Sequence, residues 1–127
     1  MSYNVGQWYI GSGSTAPYEN LETYETIQRS IIERYAPDIF CAQEYTDYVQ
    51  VLGDYYNNLY KYNPSNTDLY IGKMIASNYV HNDSTGVNFT SDTRNYAYTY
   101  MWLGGHKVCV VSAHLAYNAS DKTTASN

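Results

Sequence analysis

An α+β fold is what this 127-residue sequence predicts, and three observations carry that expectation. Leu21, Tyr24, Ile27, Ile31 and Tyr35 recur at spacings of three and four, which draws one apolar stripe along a helix and turns Glu22, Glu25, Arg29 and Glu33 away from it. Ile39, Phe40, Cys41 and Ala42 form a short continuous apolar run behind a Pro-Asp break, the pattern of a strand covered on both faces. Tyr96, Tyr98, Tyr100 and Trp102 alternate with smaller residues, and Gly104-Gly105 supplies a two-residue turn, so this stretch reads as a β-hairpin.

Taken in order, residues 2–5 open a strand at the N-terminus. Residues 6–20 form a Gly/Ser loop, with Asn20 as the N-cap of the helix over 21–35. The strand over 39–43 ends in Gln43 and Glu44, two polar groups delivered to its C-terminal edge. Tyr48, Leu52, Tyr55 and Leu59 suggest a weaker second helix, interrupted by Gly53 and ending near Asn57-Asn58. Residues 61–67 read as loop, 69–71 and 73–76 as short strands broken at Gly72, and 81–86 as a polar stretch. In the hairpin, residues 107–113 return as a strand apolar on both faces, which predicts a central position in a sheet. Residues 116–127 read as a frayed polar tail. One domain is expected, on a prior of roughly 100 to 200 residues per domain.

Composition limits the chemistry. Apolar residues at 44% suffice for a core, and 17 Tyr weight the balance toward strands. The net charge of −5 excludes a broad basic footprint of the kind that drives non-specific nucleic-acid binding. Any phosphate must be held locally, and a divalent cation among carboxylates does this by inverting the local potential. Cys41 and Cys109 both lie in apolar runs and read as small core hydrophobes. The N-terminus has neither a basic n-region nor a long apolar h-region, and no run approaches the ~20 residues of a membrane span. A soluble protein, cytoplasmic or packaged in a particle, is the expectation.

Three polar residues end three apolar strands. Ser2-Tyr3-Asn4-Val5 ends in Asn4, the 39–43 run ends in Glu44, and VCVVSAHL over residues 108–115 ends in His114-Leu115. In that order and spacing they resemble the endonuclease/exonuclease/phosphatase superfamily, which includes deoxyribonuclease I, exonuclease III and the neutral sphingomyelinases. The match covers the N-terminal half of the family pattern; the later Gly-Asp-x-Asn and Ser-Asp-His motifs have no counterpart in this sequence.

The resemblance implies a deoxyribonuclease-I-like two-sheet β-sandwich flanked by helices, in four layers α/β/β/α, of which residues 1–127 are the N-terminal portion. It implies a Mg²⁺ (or Mn²⁺) site with Glu44 and Asn4 at the metal, and His114, Asn4 and Arg94 at the substrate phosphate. Catalytic roles would fall to His114, Glu44 and Asn4, acting on a phosphodiester, with DNA the commonest substrate class in the family. Each residue also has a structural reading: Glu44 as a salt-bridged strand end, Asn4 as a turn-closing side chain, His114 as a strand-end histidine, Arg94 as a surface cation. His81 and His106 read as solvated, and Asp68 fits poorly as a carboxylate partner for His114. Two rival functions stay open, a non-catalytic binding or structural module and a sphingomyelinase- or phosphatase-like esterase. The expectation for the chain by itself is inactivity, with a second polypeptide or self-association completing the sandwich.

Overall fold

A parallel strand pair needs a long crossover connection, and the chain provides one in α1 (Leu21–Tyr35), which links β1 (Ser2–Asn4) to β2 (Ile39–Gln43). The computed structural model describes residues 1–4, 21–44, 51–63, 72–88 and 95–114. The remaining elements are α2 (Val51–Tyr55), β3 (Asn58–Tyr62), β4 (Lys73–Ser77), β5 (Asn82–Asn88), β6 (Asn95–Leu103) and β7 (His106–Ala113). They form a four-stranded sheet in the order β1-β2-β4-β3 and a three-stranded sheet in the order β5-β6-β7. Only β1 and β2 run parallel; every other described pairing is antiparallel.

Side-chain alternation along β2 sends its residues into two different cores. Phe40 and Ala42 join Ile32 of α1, Val51 and Leu52 of α2, Tyr56, Met74 and Ala76 on the helix side. Cys41 joins Ile75 of β4 and Met101 of β6 between the sheets, flanked by Ile39, Leu103 and Val110. The described layers are therefore helix, sheet and sheet. Each fully buried Phe, Leu, Ile or Met side chain in them stabilises the fold by about 1.5–3 kcal/mol. Tyr56 also donates its hydroxyl to Pro37 O at 2.8 Å, and burial, reinforced by Asp38, pushes that hydroxyl up to about 12.

The space between the sheets is not uniform. The middle, around Cys41, Ile75 and Met101, is apolar, whereas the end toward which β1, β2 and β7 run holds Gln43, Lys73, Asn95 and Ser112, all buried; Thr99 and Ser77 are buried polar residues elsewhere. Lys73, 1% exposed, pairs in register with Gln43. Burying polar groups costs free energy unless each finds a partner, and Gln43 and Ser112 find theirs in each other.

Several sequence expectations are corrected. Among the described residues α2 covers Val51–Tyr55 and stops there, and residues 58–62, read as helix end and loop, form β3 instead. The polar stretch 81–86 lies largely in β5, whose register shifts between Asn82 and Thr85 and hides the alternation that would have announced a strand. α1 has the expected length but a different buried side: Gln28 and Ile32 are buried while Ile27 and Tyr35 are exposed. Polar contacts join the two helices: Arg29 of α1 pairs with Asp54 of α2 at 2.6 Å, and Tyr55 donates to Glu33 at 2.6 Å. β6, not β7, is the middle strand, and among the described residues β7 has β6 as its one neighbour. Consequently Cys109 is exposed while Cys41 is buried. The loop 6–20 with its Asn20 cap, the strand over 69–71 and the tail 116–127 lie outside the described residues.

His81 is half-buried and bonded to Ser77, not solvated. Ser77 Oγ donates to Tyr79 O at 3.0 Å, so the 2.8 Å contact with His81 Nε2 must use the imidazole N–H as donor. Ser77 also accepts from Tyr79 N–H and is fully buried. This serine is locked into a turn at the end of β4 remote from Gln43 and is not an activated nucleophile.

Burial holds the His81 imidazole below its ordinary value of 6.5. The unfolded chain therefore takes up a proton more readily than the folded one. The stability contributed by neutral His81 is present above 6.5 and is lost as pH falls below it. An NMR titration should place its midpoint below 6.5, and the melting temperature should drop less between pH 7 and pH 5 in His81→Asn than in the unsubstituted chain. A second prediction concerns Gly86 of β5, where an added Cβ would fall inside the ring of Tyr62 on the facing sheet. Gly86→Ala should cost about 1–3 kcal/mol in denaturant unfolding, the usual range for overpacking.

Candidate active site

Parallel pairing brings the C-terminal ends of β1 and β2 to one edge, with Asn4 beside Gln43. The second sheet reaches the same edge through β7, because Ser112 Oγ donates to Ala42 O at 3.0 Å across the sandwich. His114, two residues further on, follows the inward direction of Ser112, since side chains alternate along a strand. Asn4, Glu44 and His114 thus end three strands from two sheets at a single point. Asn4 Nδ2 donates to Glu44 Oε1 at 3.0 Å, and His114 Nε2 lies 3.5 Å from that same oxygen. The Glu44 and His114 side chains are 17% and 24% exposed, so the cluster is sheltered but open on one side.

The backbone at Glu44 supports a special role for this position. Its φ is 58°, in the left-handed region that a non-glycine residue adopts at a cost of order 1–3 kcal/mol. That turn takes the chain out of the strand and sets the carboxylate against Asn4 and His114. A packing-driven sequence would place Gly here.

The donor set suits a hydrated Mg²⁺ or Mn²⁺ and no tighter cage. Among the described residues no group of three or more His, Cys, Asp or Glu could hold an ion. Mg²⁺ keeps several waters and typically takes one or two protein carboxylates, which is what Glu44 offers. Asn4 bonds Glu44 through its amide nitrogen, so its carbonyl oxygen is the atom suited to a cation. Arg94 lies outside the described residues, and His106 is exposed at the hairpin turn, away from the cluster.

Four residues behind the cluster carry signals that the apolar reading of their strands hid. Ser2 and Ser112 each precede a site residue by two positions on the same strand face. Lys73 opens the otherwise apolar KMIA run and is buried. Asn95 accepts the His114 backbone N–H at 3.3 Å and is fully buried, with neither amide atom partnered among the described residues. Leaving a buried amide so costs about 1–3 kcal/mol per group.

The strain at Glu44 yields a prediction. Glu44→Gly should unfold at higher denaturant than Glu44→Ala, with a gap of about 1 kcal/mol, because only glycine accepts the left-handed backbone without penalty. Equal stability of the two variants would show that the position is unstrained.

No family model matches the sequence, and no curated protein matches it. Solved structures do match. TDP2 from C. elegans superposes with a TM-score of 0.71 at 17% identity, covering 97% of this chain and 37% of that one. D. rerio TDP2 complexed with single-strand DNA product gives a TM-score of 0.70 at 22% identity, covering 98% of this chain and 49% of that one. ANGEL2, a 2',3'-cyclic phosphatase in complex with adenosine-2',3'-vanadate, gives 0.69 at 13% identity, covering 92% and 41%. The chain spans between 37% and 49% of the length of these structures. TDP2 and ANGEL2 belong to the deoxyribonuclease-I-like endonuclease/exonuclease/phosphatase superfamily, and this chain has part of that superfamily's two-sheet sandwich fold.

Proposed function

We propose that these residues are the N-terminal half of a divalent-metal-dependent phosphodiesterase site, with single-stranded DNA as the substrate class. The convergence of Asn4 and His114 on one oxygen of a strained Glu44 carries this reading. Two neighbours of the same fold add to it, one holding a single-strand DNA product and the other an adenosine vanadate.

In this reading Glu44 supplies the hard oxygen ligand and the Asn4 amide fixes its orientation. A bound Mg²⁺ or Mn²⁺ would neutralise phosphate charge and acidify a bound water. His114 Nε2, at 3.5 Å, makes only a weak contact with Glu44. A phosphoryl oxygen at ordinary hydrogen-bond distance would outcompete that contact, so His114 is the phosphate donor. Arg94 is proposed as a second, bidentate phosphate contact.

Hydrolysis also requires a group to orient the attacking water and another to stabilise developing charge. The family's Gly-Asp-x-Asn and Ser-Asp-His motifs, absent from these 127 residues, would have to be supplied from elsewhere in a longer polypeptide or by a partner. A non-catalytic binding module is the second reading. It is favoured by the aromatic ladder on β6, where Tyr96 and Tyr98 stack at 6.3 Å, Tyr98 and Tyr100 meet edge-on at 5.8 Å, and Trp102 is 60% exposed.

Fluorescence anisotropy with a labelled single-stranded oligonucleotide tests the proposal on the 127-residue chain. Binding should require Mg²⁺ or Mn²⁺, should fall at least about tenfold in Glu44→Gln, since the substitution deletes the charge a hard cation needs, and should proceed without turnover. Binding that survives both chelation and Glu44→Gln, but is lost in Tyr98→Ala, would establish the module reading instead.

A further inference from the structure

We propose that Gln43 is a positioning residue, one amide that ties together the three strands whose ends carry the site; this rests on the functional reading above. Gln43 Nε2 lies 3.1 Å from Ser2 Oγ and 3.1 Å from Ser112 Oγ, with Cys41 O as a further shared acceptor at 3.3 Å. Ser2 Oγ donates back to Gln43 Oε1 at 3.4 Å. Ser112 Oγ, having accepted from Gln43, donates onward to Ala42 O at 3.0 Å.

Each partner is placed for leverage. Ser2 stands two residues before Asn4, Gln43 immediately before Glu44, and Ser112 two residues before His114. The amide group therefore sits one layer beneath the cluster and fixes the spacing of its three members. Of these contacts, Gln43 to Ser112 and Ser112 to Ala42 O join the first sheet to the second, and the first of them is the side-chain link. Apolar packing cannot do the same work. Side chains such as Cys41, Ile75 and Met101 hold the sheets together without direction, whereas a hydrogen bond holds its partners to a few tenths of an ångström. The bond is also dry: Gln43 is 7% and Ser112 1% exposed, so water does not compete for it.

The consequence is a division of labour. Glu44 and Asn4 belong to the metal side, in the first sheet; His114 belongs to the phosphate side, in the second. The Gln43–Ser112 bond, with the Ser112 to Ala42 O bond that it orients, sets the distance between the two sides, and with it the ability of a cation and a phosphate to bind together.

The test uses the full 127-residue chain as Gln43→Met, Ser112→Ala and Ser112→Thr, with Ser2→Ala as a milder variant that removes one exposed arm if the buried ones fail to fold. Two quantities are read. The first is the set of NMR cross-relaxation peaks between the His114 ring and the Asn4 and Glu44 side chains. The second is the factor by which Mn²⁺ raises affinity for inorganic phosphate, expected to be on the order of tenfold in the unsubstituted chain.

Gln43→Met and Ser112→Ala should lose the peaks and bring the factor toward one while melting cooperatively, and Ser112→Thr, which keeps the hydroxyl, should restore both. Should only Ser2→Ala fold, weakened peaks and a lowered factor support the proposal and unchanged ones overturn it. A purely structural role would lower stability and leave the factor unchanged. Intact peaks in a folded Gln43→Met overturn the positioning role whatever happens to ligands. An unsubstituted chain that binds neither Mn²⁺ nor phosphate overturns the functional reading, and the peaks then decide the Gln43 contact alone.

Discussion

β2 is buried on both faces, and the rest of the structure depends on that constraint. A strand packed against helices on one side and a second sheet on the other cannot slip, because a shift of one residue would exchange Phe40 and Ala42 for Cys41 and Gln43. Its end is therefore fixed, and with it the point at which Glu44 leaves the sheet in a left-handed turn. β1 adds in parallel and β7 closes from the facing sheet, so Asn4 and His114 arrive where β2 stops. The candidate cluster is in this sense a by-product of register: three strands measured from one buried core end at the same place.

The interior between the sheets reflects the same division. Its apolar middle, around Cys41, Ile75 and Met101, provides cohesion. Its polar end, with Gln43, Lys73, Asn95 and Ser112, gives up burial energy for directed contacts. Backbone strain at Glu44 and the Asn95 amide, unpartnered among the described residues, sit at that end as well. Left-handed backbone also occurs at Ala36 and Asp83, but at Glu44 it coincides with the convergence of three strand ends.

How much of this is legible in the sequence depends on which signal each residue sends. β2 and the 96–113 hairpin are readable because an apolar run and a Tyr alternation with a Gly-Gly turn are strong local patterns. Asn4, Glu44 and His114 can be singled out because each breaks an apolar strand at its end, and the structure then brings them together. The α1 stripe misleads, since Gln28 is buried and Ile27 exposed once α2 docks through Arg29 and Asp54; charge pairing between helices does not appear in hydrophobic periodicity. β3 and β5 are invisible for another reason: polar or irregular strands are held by their neighbours and not by their own composition. Ser112 and Lys73 are hidden inside apolar runs, and only a second sheet facing them shows why they are polar.

The central proposal is that the end of this sandwich with Asn4, Glu44 and His114 binds a divalent cation beside a phosphate. Paramagnetic Mn²⁺ titrated into the isotopically labelled chain addresses it directly, because nuclear relaxation falls off steeply with distance from the ion. The two ends of β4 are separated by about 15 Å for a five-residue strand, enough to tell them apart. Resonances of Asn4, Glu44 and His114 should broaden first while those of Ser77 and His81 stay sharp. Broadening centred on Asp54 or Asp83, or spread evenly over the acidic surface, would contradict the account.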